Sequence, residues 1–305
     1  MKHLLTAFLL ALSMTAAQAK ETITLMYSWT AADNAANFYR ALVMEANKLQ
    51  SKYNFVLDFK PGAGGTVAAN ATLANQNNTL WLNSSAGYIR SYLFPAESHN
   101  MADFRLAMPM CASPFVIISQ KYKTWQEVPR DAKLSIGMTG LGATSHLVSI
   151  QIAKNYPNMN IVPFKSTSEA LINVLNGSID FSVGFHGDSE QYTQPNAPKQ
   201  VYWLGQTGNR SIKNTKLLAA QGFPKELADM SPTHQIFAGR QLSEERFKEL
   251  RKILVEASQA QTVRDAKASD NCVSVSQMPD NQIDSWFDAQ ARQWKHLTST
   301  VNLAK

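Results

Sequence analysis

The sequence contains few cysteines, few charged residues and no cluster of positive charge. Its two cysteines among 305 residues cannot form a disulfide scaffold, and no Cys-x-x-Cys pair is present to hold zinc. The 29 lysines and arginines exceed the 23 aspartates and glutamates, giving a net charge of +6. They are scattered along the chain, so no nucleic-acid partner is indicated. With 45% hydrophobic and 17% charged residues, the composition excludes a disordered chain and predicts globular domains with a substantial core.

Motifs for catalysis are also missing. The sequence has no Gly-x-Ser-x-Gly elbow, no His-Glu-x-x-His motif and no histidine pair at helical spacing for a metal. Serine, histidine and aspartate all occur, but a chain of this length contains all three by chance. The sequence therefore makes no positive case for an enzyme, and it indicates no cofactor and no metal site.

The first residues have the pattern of a secretory signal peptide. Lys2 and His3 precede an apolar run at residues 4–12, and the small residues 16–19 end in an Ala-x-Ala cleavage signal. The apolar run is too short for a permanent membrane span, which needs about 20 apolar residues. A buried N-terminal helix is the alternative. We expect residues 1–19 to be a signal peptide cleaved after Ala19, and the mature protein to be exported to the periplasm.

From residue 22 onward, short strands alternate with amphipathic helices. The predicted strands are residues 22–27, 55–59, 79–83, 133–138, 160–164, 179–183 and 200–204. Ser166 and Glu169 have the spacing of a capping box, and Ser243 is placed to cap a later helix. Repeated strand–loop–helix units predict mostly parallel sheets with helices on both faces, which is an α/β fold.

The chain is long enough for two such domains. The apolar stretch at residues 104–119 is broken by Pro109 and Pro114, which indicates extended chain passing from one domain to the other. We expect lobe 1 to comprise residues 20–112 plus 238–305 and lobe 2 to comprise residues 113–237. The return to lobe 1 is expected near residues 235–239, because the C-terminal helices have no strands of their own.

The residues that indicate function follow the ends of the predicted strands, where open α/β sheets form a ligand crevice. Gly64, Gly65 and Thr66 lie in a turn before a helix, where backbone N–H groups and the helix dipole favour an anion. On this interpretation Gly65→Val abolishes binding with little effect on folding. Ser84 and Ser85 follow the third strand in the same way. An ordinary tight turn is the alternative for each glycine run.

Two candidates at helix starts have a plain structural alternative. Asp33 is placed to bind a ligand amine or to serve as the N-cap of the helix that follows it. His146, beside Thr144 and Ser145, is placed to donate to an anion, or to pack or cap locally.

Further candidates come from strand ends. Trp29 and Phe185 are expected either as apolar walls of the crevice or as buried core. His186 and Asp188 follow the strand at 179–183 and either line the crevice or belong to a polar loop.

The two cysteines leave two alternatives open. Cys111 and Cys272 are able to form a disulfide bond after export, since the periplasm is oxidising. Two isolated buried thiols are equally compatible with the sequence, which does not give the separation of the sulfur atoms.

Three segments taken together resemble the Bug/TctC family, the extracytoplasmic solute receptors of tripartite tricarboxylate transporters. These are Pro-Gly-Ala-Gly-Gly-Thr at residues 61–66, Gly-Leu-Gly-Ala-Thr-Ser-His-Leu at 140–147, and Val-Pro-Phe-Lys at 162–165 before a helix and an Ile-Asp strand at 179–180. The tail from Cys272 through Pro279 to Trp294 also looks like the end of that family. The likeness covers essentially the whole mature chain.

The resemblance implies a monomeric, two-domain clamshell of the periplasmic binding-protein type that closes on a small organic carboxylate and docks on membrane permease subunits. It implies that backbone amides and waters hold the carboxylate in the segments 28–33 and 64–66 of the first lobe. In the second lobe it implies residues 144–146 and the loop at 185–188.

The first of these segments departs from the family pattern. Where the family has Pro-Pro-Gly-Gly, this chain has Trp29, Thr30, Ala31, Ala32 and Asp33. An indole and a carboxylate at this place are expected to shift ligand choice toward an aromatic acid or a zwitterion.

Other functions remain alternatives at this stage. They are an orphan receptor that feeds a sensor or another importer, a secreted scaffold, and an exported serine hydrolase that uses Ser84 or Ser145 with His146 or His186.

Overall fold

The computed structural model describes residues 20–269, 271–275 and 278–301, so the predicted signal peptide lies outside the described residues. Within these ranges the chain forms eleven strands: β1 (Glu21–Tyr27), β2 (Tyr53–Phe59), β3 (Thr79–Asn83), β4 (Phe104–Ala112), β5 (Val116–Ser119), β6 (Leu134–Thr139), β7 (Met159–Phe164), β8 (Phe181–Gly184), β9 (Tyr202–Gln206), β10 (Thr233–Gly239) and β11 (Val273–Ser274). The same ranges hold nine α-helices: α1 (Ala36–Leu49), α2 (Thr66–Ala74), α3 (Ala86–Leu93), α4 (Thr144–Ala153), α5 (Thr167–Leu175), α6 (His186–Ser189), α7 (Glu244–Ala257), α8 (Gln261–Ser269) and α9 (Ile283–Ser299).

The strands form two sheets, one in each lobe. The first has the order β11-β4-β10-β3-β1-β2 and the second the order β7-β6-β8-β5-β9. β1 pairs in parallel with β2 and β3, and β6 pairs in parallel with β7 and β8. One interior strand of each sheet runs the other way: β10 is antiparallel to β3 and β4, and β5 is antiparallel to β8 and β9. The predicted α/β fold with two mostly parallel sheets is therefore confirmed.

The two reversed strands are those that the chain enters after crossing between the lobes. β4 continues through Pro114 into β5, and the return crossing precedes β10. The crossings lie side by side, since the Ser113 N–H donates to the Pro232 carbonyl at 3.0 Å. The boundary predicted between residues 237 and 238 falls inside β10. β10 pairs with β4 from Thr233 to Gly239 and with β3 from Gln235 to Ala238, so we propose that lobe 1 resumes at Thr233.

The helices that follow β10 pack on the first lobe and reach the second. α7 and α8 pack on α1, and α9 packs on α3 and β4. Just beyond the end of α9, the Thr300 hydroxyl accepts from the Gln151 amide of α4 at 3.2 Å. The C-terminal helix therefore spans both lobes. No helix in the described ranges is long and apolar enough to cross a membrane.

The predicted caps are present. The Ser166 hydroxyl accepts from the Glu169 N–H at 3.1 Å, and the Ser243 hydroxyl accepts from the Arg246 N–H at 3.4 Å. The Glu169 carboxylate accepts from the N–H of Lys165, one residue before the cap, at 2.8 Å. The two serine contacts satisfy helix N–H groups that have no partner within the helix.

Cys111 and Cys272 form a disulfide bond, so the bonded alternative is the one the structure adopts. The bond ties β4 to the segment that leads into β11, with the two Cα atoms 5.3 Å apart. It joins residues 161 positions apart in sequence. A loop of that length corresponds to roughly 5 kcal/mol in the chain-entropy model of disulfide stabilisation.

Candidate functional site

A cavity of about 30 Å³ lies between the two lobes. Its lining from lobe 1 is Tyr27, Trp29, Asp33, Asn34, Ala35, Ser84, Ala86 and His234, and from lobe 2 it is Phe115, Thr139, Ala143, Thr144, Thr167 and Phe185. Most of these residues follow the carboxyl ends of β1, β3, β6 and β8, the edge where the sequence predicts a crevice. A cavity of this size holds about two water molecules, so the lobes must part to admit a larger ligand.

Four helices begin at this cavity. Ala35 is the N-cap of α1, Ala86 and Thr144 are the first residues of α3 and α4, and Thr167 is the first residue of α5. Each helix start carries N–H groups without intrahelical partners and a partial positive charge of about +0.5. Since the four helices come from both lobes, closure brings four positive helix ends around one small volume.

His234 lies at the start of β10 with only 2% of its surface exposed. Neither ring nitrogen has a hydrogen-bond partner. The ring packs between Phe38, at 5.2 Å between centroids, and Phe185 of the other lobe, at 5.9 Å. Burial lowers the pKa of His234 to about 4, so the imidazole is neutral at neutral pH and offers one donor and one acceptor.

A second polar group at the cavity also lacks a partner. The Thr144 hydroxyl is buried and makes no hydrogen bond. A buried polar atom without a partner costs about 1–3 kcal/mol, so such atoms are uncommon in folded proteins. Two of them lining one cavity indicate a place where a polar ligand supplies the missing bonds.

The segment around Asp33 forms one side of the lobe interface. Asp33 is 7% exposed, and the Thr167 hydroxyl of the other lobe donates to its carboxylate at 3.5 Å. The Ser168 hydroxyl donates to the Ala32 carbonyl at 3.2 Å. The N-cap position of α1 is Ala35, two residues after Asp33.

Asp188 adds to the same interface from lobe 2. Burial raises the pKa of its carboxyl group, although hydrogen bonds with the Thr167 hydroxyl and the backbone amides of Phe185 and Asn34 act to lower it. The bond from Asn34 crosses between the lobes. The Thr167 hydroxyl therefore lies against two carboxyl groups, one from each lobe.

Arg90 makes another contact across the interface. Its guanidinium donates to the Leu141 carbonyl of lobe 2 at 3.3 Å and lies over the Phe94 ring at 4.1 Å. A Cβ atom at Gly142 would come within 2.7 Å of the Arg90 side chain, so glycine is what allows this approach. The lobes are thus joined by contacts at Asp33 and at Arg90.

Aromatic rings form much of the cavity wall. Phe115 and Phe185 stack at 4.7 Å between centroids, and Tyr27 and Trp29 line the wall contributed by lobe 1. The site therefore combines an apolar body with a few polar groups, which is the usual composition of a small-molecule site.

The structure brings five of the predicted site residues to the cavity: Trp29, Asp33, Ser84, Thr144 and Phe185. The other predicted residues lie outside its lining: Thr30, Ala31, Ala32, Gly64, Gly65, Thr66, Ser85, Ser145, His146, His186 and Asp188. Contact of any of them with a ligand remains a prediction.

The turn at Gly64–Thr66 makes its hydrogen bonds inside lobe 1 and lies beside lobe 2, since a Cβ at Gly64 would come 3.2 Å from the Leu141 carbonyl oxygen. The Gly65 N–H donates to the Gly62 carbonyl at 3.0 Å, and the Thr66 hydroxyl lies 3.2 Å from His99 Nδ1. Gly65 has φ +100°, and a Cβ there would lie 2.3 Å from the Asn83 amide nitrogen. The expectation that Gly65→Val leaves folding little changed is therefore wrong, because the substitution forces a buried turn apart.

Three other predicted residues have internal partners. The Ser145 hydroxyl bonds to the Thr139 hydroxyl at 2.8 Å and accepts from the Thr139 N–H. The His146 ring accepts from the Gly142 N–H at 3.2 Å, and burial, followed by the charge of Arg90, lowers the pKa of His146 to about 4. His186 Nε2 lies 3.2 Å from the Thr215 hydroxyl.

These contacts bear on the serine hydrolase alternative. Ser84 accepts from the Ala86 N–H at 3.3 Å, and no hydrogen bond joins either candidate serine to either candidate histidine in the part of the chain described. That part also holds no group of three His, Cys, Asp or Glu side chains able to bind a metal.

Several cavity residues have no place in the sequence prediction: Tyr27, Asn34, Ala35, Ala86, Phe115, Thr139, Ala143, Thr167 and His234. Tyr27 ends a predicted strand and Thr139 directly follows one, so including the last residue of each strand and the next one would find them. His234 gives no such signal, because it lies near the start of a strand whose position depends on the return crossing.

At the level of sequence, no protein-family model matches this chain. No curated protein matches it either.

Solved structures do match. The periplasmic binding protein BugD superposes with a TM-score of 0.81 at 17% identity, over 92% of this chain and 97% of BugD. An R. palustris protein solved with adipate superposes with a TM-score of 0.80 at 14% identity, over 93% of this chain and 98% of that protein. MatC from Rhodopseudomonas palustris with bound malate superposes with a TM-score of 0.77 at 16% identity, over 91% of this chain and 99% of MatC. The chain therefore has the fold of the Bug-type periplasmic binding proteins, as its resemblance to the Bug/TctC family predicts.

Proposed function

We propose that this protein is a periplasmic solute-binding receptor that captures a small organic carboxylate by lobe closure and delivers it to a tripartite tricarboxylate-type transporter. The observation that carries the proposal is the convergence of four helix N-termini, the unpartnered His234 imidazole and the unpartnered Thr144 hydroxyl on one buried cavity. Helix starts favour anions, and the two side chains supply hydrogen-bond donors. A carboxylate matches both properties.

Closure is the step that completes the site. Thr144 belongs to one lobe and His234 to the other, so a ligand that contacts both stabilises the closed arrangement relative to an open one. The crossing segments, paired at Ser113 and Pro232, form a narrow connection about which the lobes can rotate. The bonds at Asp33 and Arg90 then hold the closed form.

The structural relatives support the same function. Solved structures with this fold include a periplasmic binding protein and two proteins bound to adipate and malate, both of which are small organic carboxylates. Delivery to a permease follows from the resemblance to the Bug/TctC family. A receptor of this kind needs no catalytic group, which accords with serines and histidines that are bonded to other partners.

A ligand screen tests the proposal. The mature protein, unfolded and refolded to strip bound ligand, is examined by thermal shift and then by calorimetry with mono-, di- and tricarboxylates and amino acids. We expect a micromolar binder. A correctly folded protein that binds no compound in the panel would contradict the proposal, as would stoichiometric labelling of Ser84 or Ser145 by a fluorophosphonate probe.

A matched pair of variants locates the binding site. Thr144→Val removes the unpartnered hydroxyl while keeping the side-chain shape, so we expect affinity to fall about tenfold with little change in melting temperature. Thr262→Val is the control, because its hydroxyl bonds Glu45 on the exposed surface. Equal effects of the two substitutions on affinity would count against the cavity as the site.

A further inference from the structure

Two carboxyl groups from opposite lobes meet at one hydroxyl group. The Thr167 hydroxyl, on the first residue of α5, lies 3.5 Å from a carboxyl oxygen of Asp33 and also hydrogen-bonds with Asp188. Asp33 belongs to the segment before α1 in lobe 1, and Asp188 belongs to α6 in lobe 2. Asp33 and Thr167 are buried, and Asp188 is partly buried. The cluster therefore exists only when the lobes are closed.

The hydrogens in this cluster do not suffice for two ionised carboxyl groups. A threonine hydroxyl has one hydrogen to donate and two lone pairs that accept. Thr167 therefore donates to only one of the two groups, and its geometry directs that bond to Asp33. If Asp188 is protonated, its O–H donates to the Thr167 oxygen, and the hydrogen bonds run in one direction from Asp188 through Thr167 to Asp33. One added proton thus completes the chain of bonds across the interface.

The electrostatics of the cluster favour the same proton. Two ionised carboxyl groups that share one site repel each other, and the repulsion grows when water is excluded. The groups that hydrogen-bond with Asp188 are uncharged: the Thr167 hydroxyl and the backbone amides of Phe185 and Asn34. Burial raises the pKa of Asp188 in spite of these bonds. Asp188 is therefore the member of the pair that is stabilised most by binding a proton.

Other ionisable side chains on the surrounding elements have partners of their own. The Arg40 guanidinium of α1 donates to the Ala31 carbonyl, the Glu169 carboxylate of α5 accepts from the Lys165 N–H, Glu190 beyond α6 pairs with Lys213, and the His186 ring of α6 lies at the Thr215 hydroxyl. His234 of β10 is neutral at neutral pH, because burial lowers its pKa to about 4. In the described part of the chain, none of these side chains bonds with Asp188.

We propose that Asp33 and Asp188 share one proton through Thr167 in the closed form, so that lobe closure takes up a proton and ligand is held more tightly as the pH falls. Opening parts the two carboxyl groups and exposes them to water, where an aspartate has a pKa of about 3.9. Between about pH 4 and the pKa of the closed pair, each pH unit therefore weakens closure by up to about tenfold. The proposal rests on the proposed function and adds a proton as a second ligand of closure.

Denaturant unfolding at pH 5 and pH 8 tests the pair without a ligand. Asp188→Asn keeps the shape, places an amide N–H where the proposed proton lies and removes the titration. The folded unsubstituted protein holds one proton more than its unfolded chain, so its unfolding constant rises with pH from this source. We expect the ratio of its unfolding constant to that of Asp188→Asn to rise about tenfold or more from pH 5 to pH 8. The buried histidines contribute with the opposite sign, but they are the same in both proteins and cancel in the ratio.

Calorimetry at the same two pH values tests the link to closure. The probes are adipate and malate, whose own ionisation is the same for both proteins and cancels in the comparison. We expect the unsubstituted protein to lose about tenfold or more in affinity relative to Asp188→Asn between pH 5 and pH 8. Asp131→Asn removes an exposed carboxylate of the same lobe and is the control. Its ratios to the unsubstituted protein should not depend on pH in either experiment.

The outcomes separate the two proposals. If Asp188→Asn does not fold, Asp33→Asn supplies the same test, since an amide on either side replaces the shared proton. Ratios independent of pH in both experiments overturn the shared proton and leave the receptor function standing. A ratio that changes in unfolding but not in binding contradicts the link to closure. If neither acid nor any compound of the ligand screen binds, the receptor function is contradicted, and the unfolding ratio alone decides whether the pair shares a proton.

Discussion

Two turns of lobe 1 precede helices at the same edge of one sheet, yet they do different things. The turn at residues 62–66, before α2, bonds within its own lobe, and its Thr66 hydroxyl reaches His99. The segment at residues 29–35, before α1, lines the cavity and meets the other lobe at Thr167. The glycine-rich turn thus makes its hydrogen bonds inside lobe 1 and lies outside the cavity lining, while the segment without glycine lines the cavity.

The largest expected effect tests the scaffold role of the first turn. Gly65→Ala places a Cβ 2.3 Å from the Asn83 amide nitrogen at a φ of +100°, so we expect the free energy of unfolding to fall by about 3 kcal/mol or more. Denaturant unfolding measures the loss.

Gly177→Ala is the matched control for that substitution. Its φ is +72°, and nothing lies within 4 Å of the added Cβ, so only the backbone penalty of about 1 kcal/mol applies. The difference between the two variants isolates the steric clash. If both lose the same amount, the turn at residue 65 is less tightly packed than its contacts indicate.

Two buried histidines sharpen the contrast between scaffold and cavity. His99 Nε2 bonds the Gly87 carbonyl at 3.0 Å and Nδ1 faces Thr66, whereas His234 has no partner on either nitrogen. We expect His99→Leu to lower the free energy of unfolding by about 1–3 kcal/mol, because it leaves buried polar groups without a hydrogen-bond partner. We expect His234→Leu to leave stability unchanged or higher but to weaken ligand binding about tenfold. Chemical unfolding and calorimetry on both variants provide the measurements.

The pH dependence of the free energy of unfolding is a further test of His99 and His234. Burial lowers the pKa of both histidines to about 4, below about 6.5 in an unfolded chain. The unfolded state therefore binds protons first, and stability falls as pH drops from about 6.5 toward 4. Replacing either histidine by leucine should remove the contribution of one histidine from the slope of unfolding free energy against pH. A slope unchanged in both would mean that these rings are not buried in the neutral form.

Sequence patterns predict the strands and helix caps because these depend on local interactions. β3 is predicted with its exact bounds, and the Ser166 cap follows from spacing alone, since both depend on neighbours within a few residues. The edge that holds the cavity is also predictable, because it follows from strand direction. The start of β10 at Thr233 depends on long-range pairing with β4, so sequence patterns alone do not locate it.

The site is only partly predictable for the same reason. A Gly-Gly-Thr turn has the same sequence whether its amides face a ligand or pack inward, and only Asn83 and Arg90, distant in sequence, decide which. His234 enters the cavity because β10 is inserted between β3 and β4, a sheet order that no local pattern encodes. Trp29 and Asp33 are found because they depart from a family pattern at a strand end.

The smallest expected effects compare Thr167, which contacts the segment at residues 29–35 from lobe 2, with Thr66 of the glycine-rich turn. Thr167→Val removes the hydroxyl that faces Asp33 across the interface, so closure loses one contact and affinity should weaken about three- to tenfold. Thr66→Val removes a hydroxyl bonded only within lobe 1, to Ser98 and His99, so it should lower the melting temperature by a few degrees, a loss of about 1 kcal/mol, and leave affinity unchanged. Calorimetry and thermal unfolding on the two variants measure both quantities. If Thr66→Val weakens binding while Thr167→Val does not, the glycine-rich turn is the ligand-binding segment and the roles assigned to the two turns are reversed.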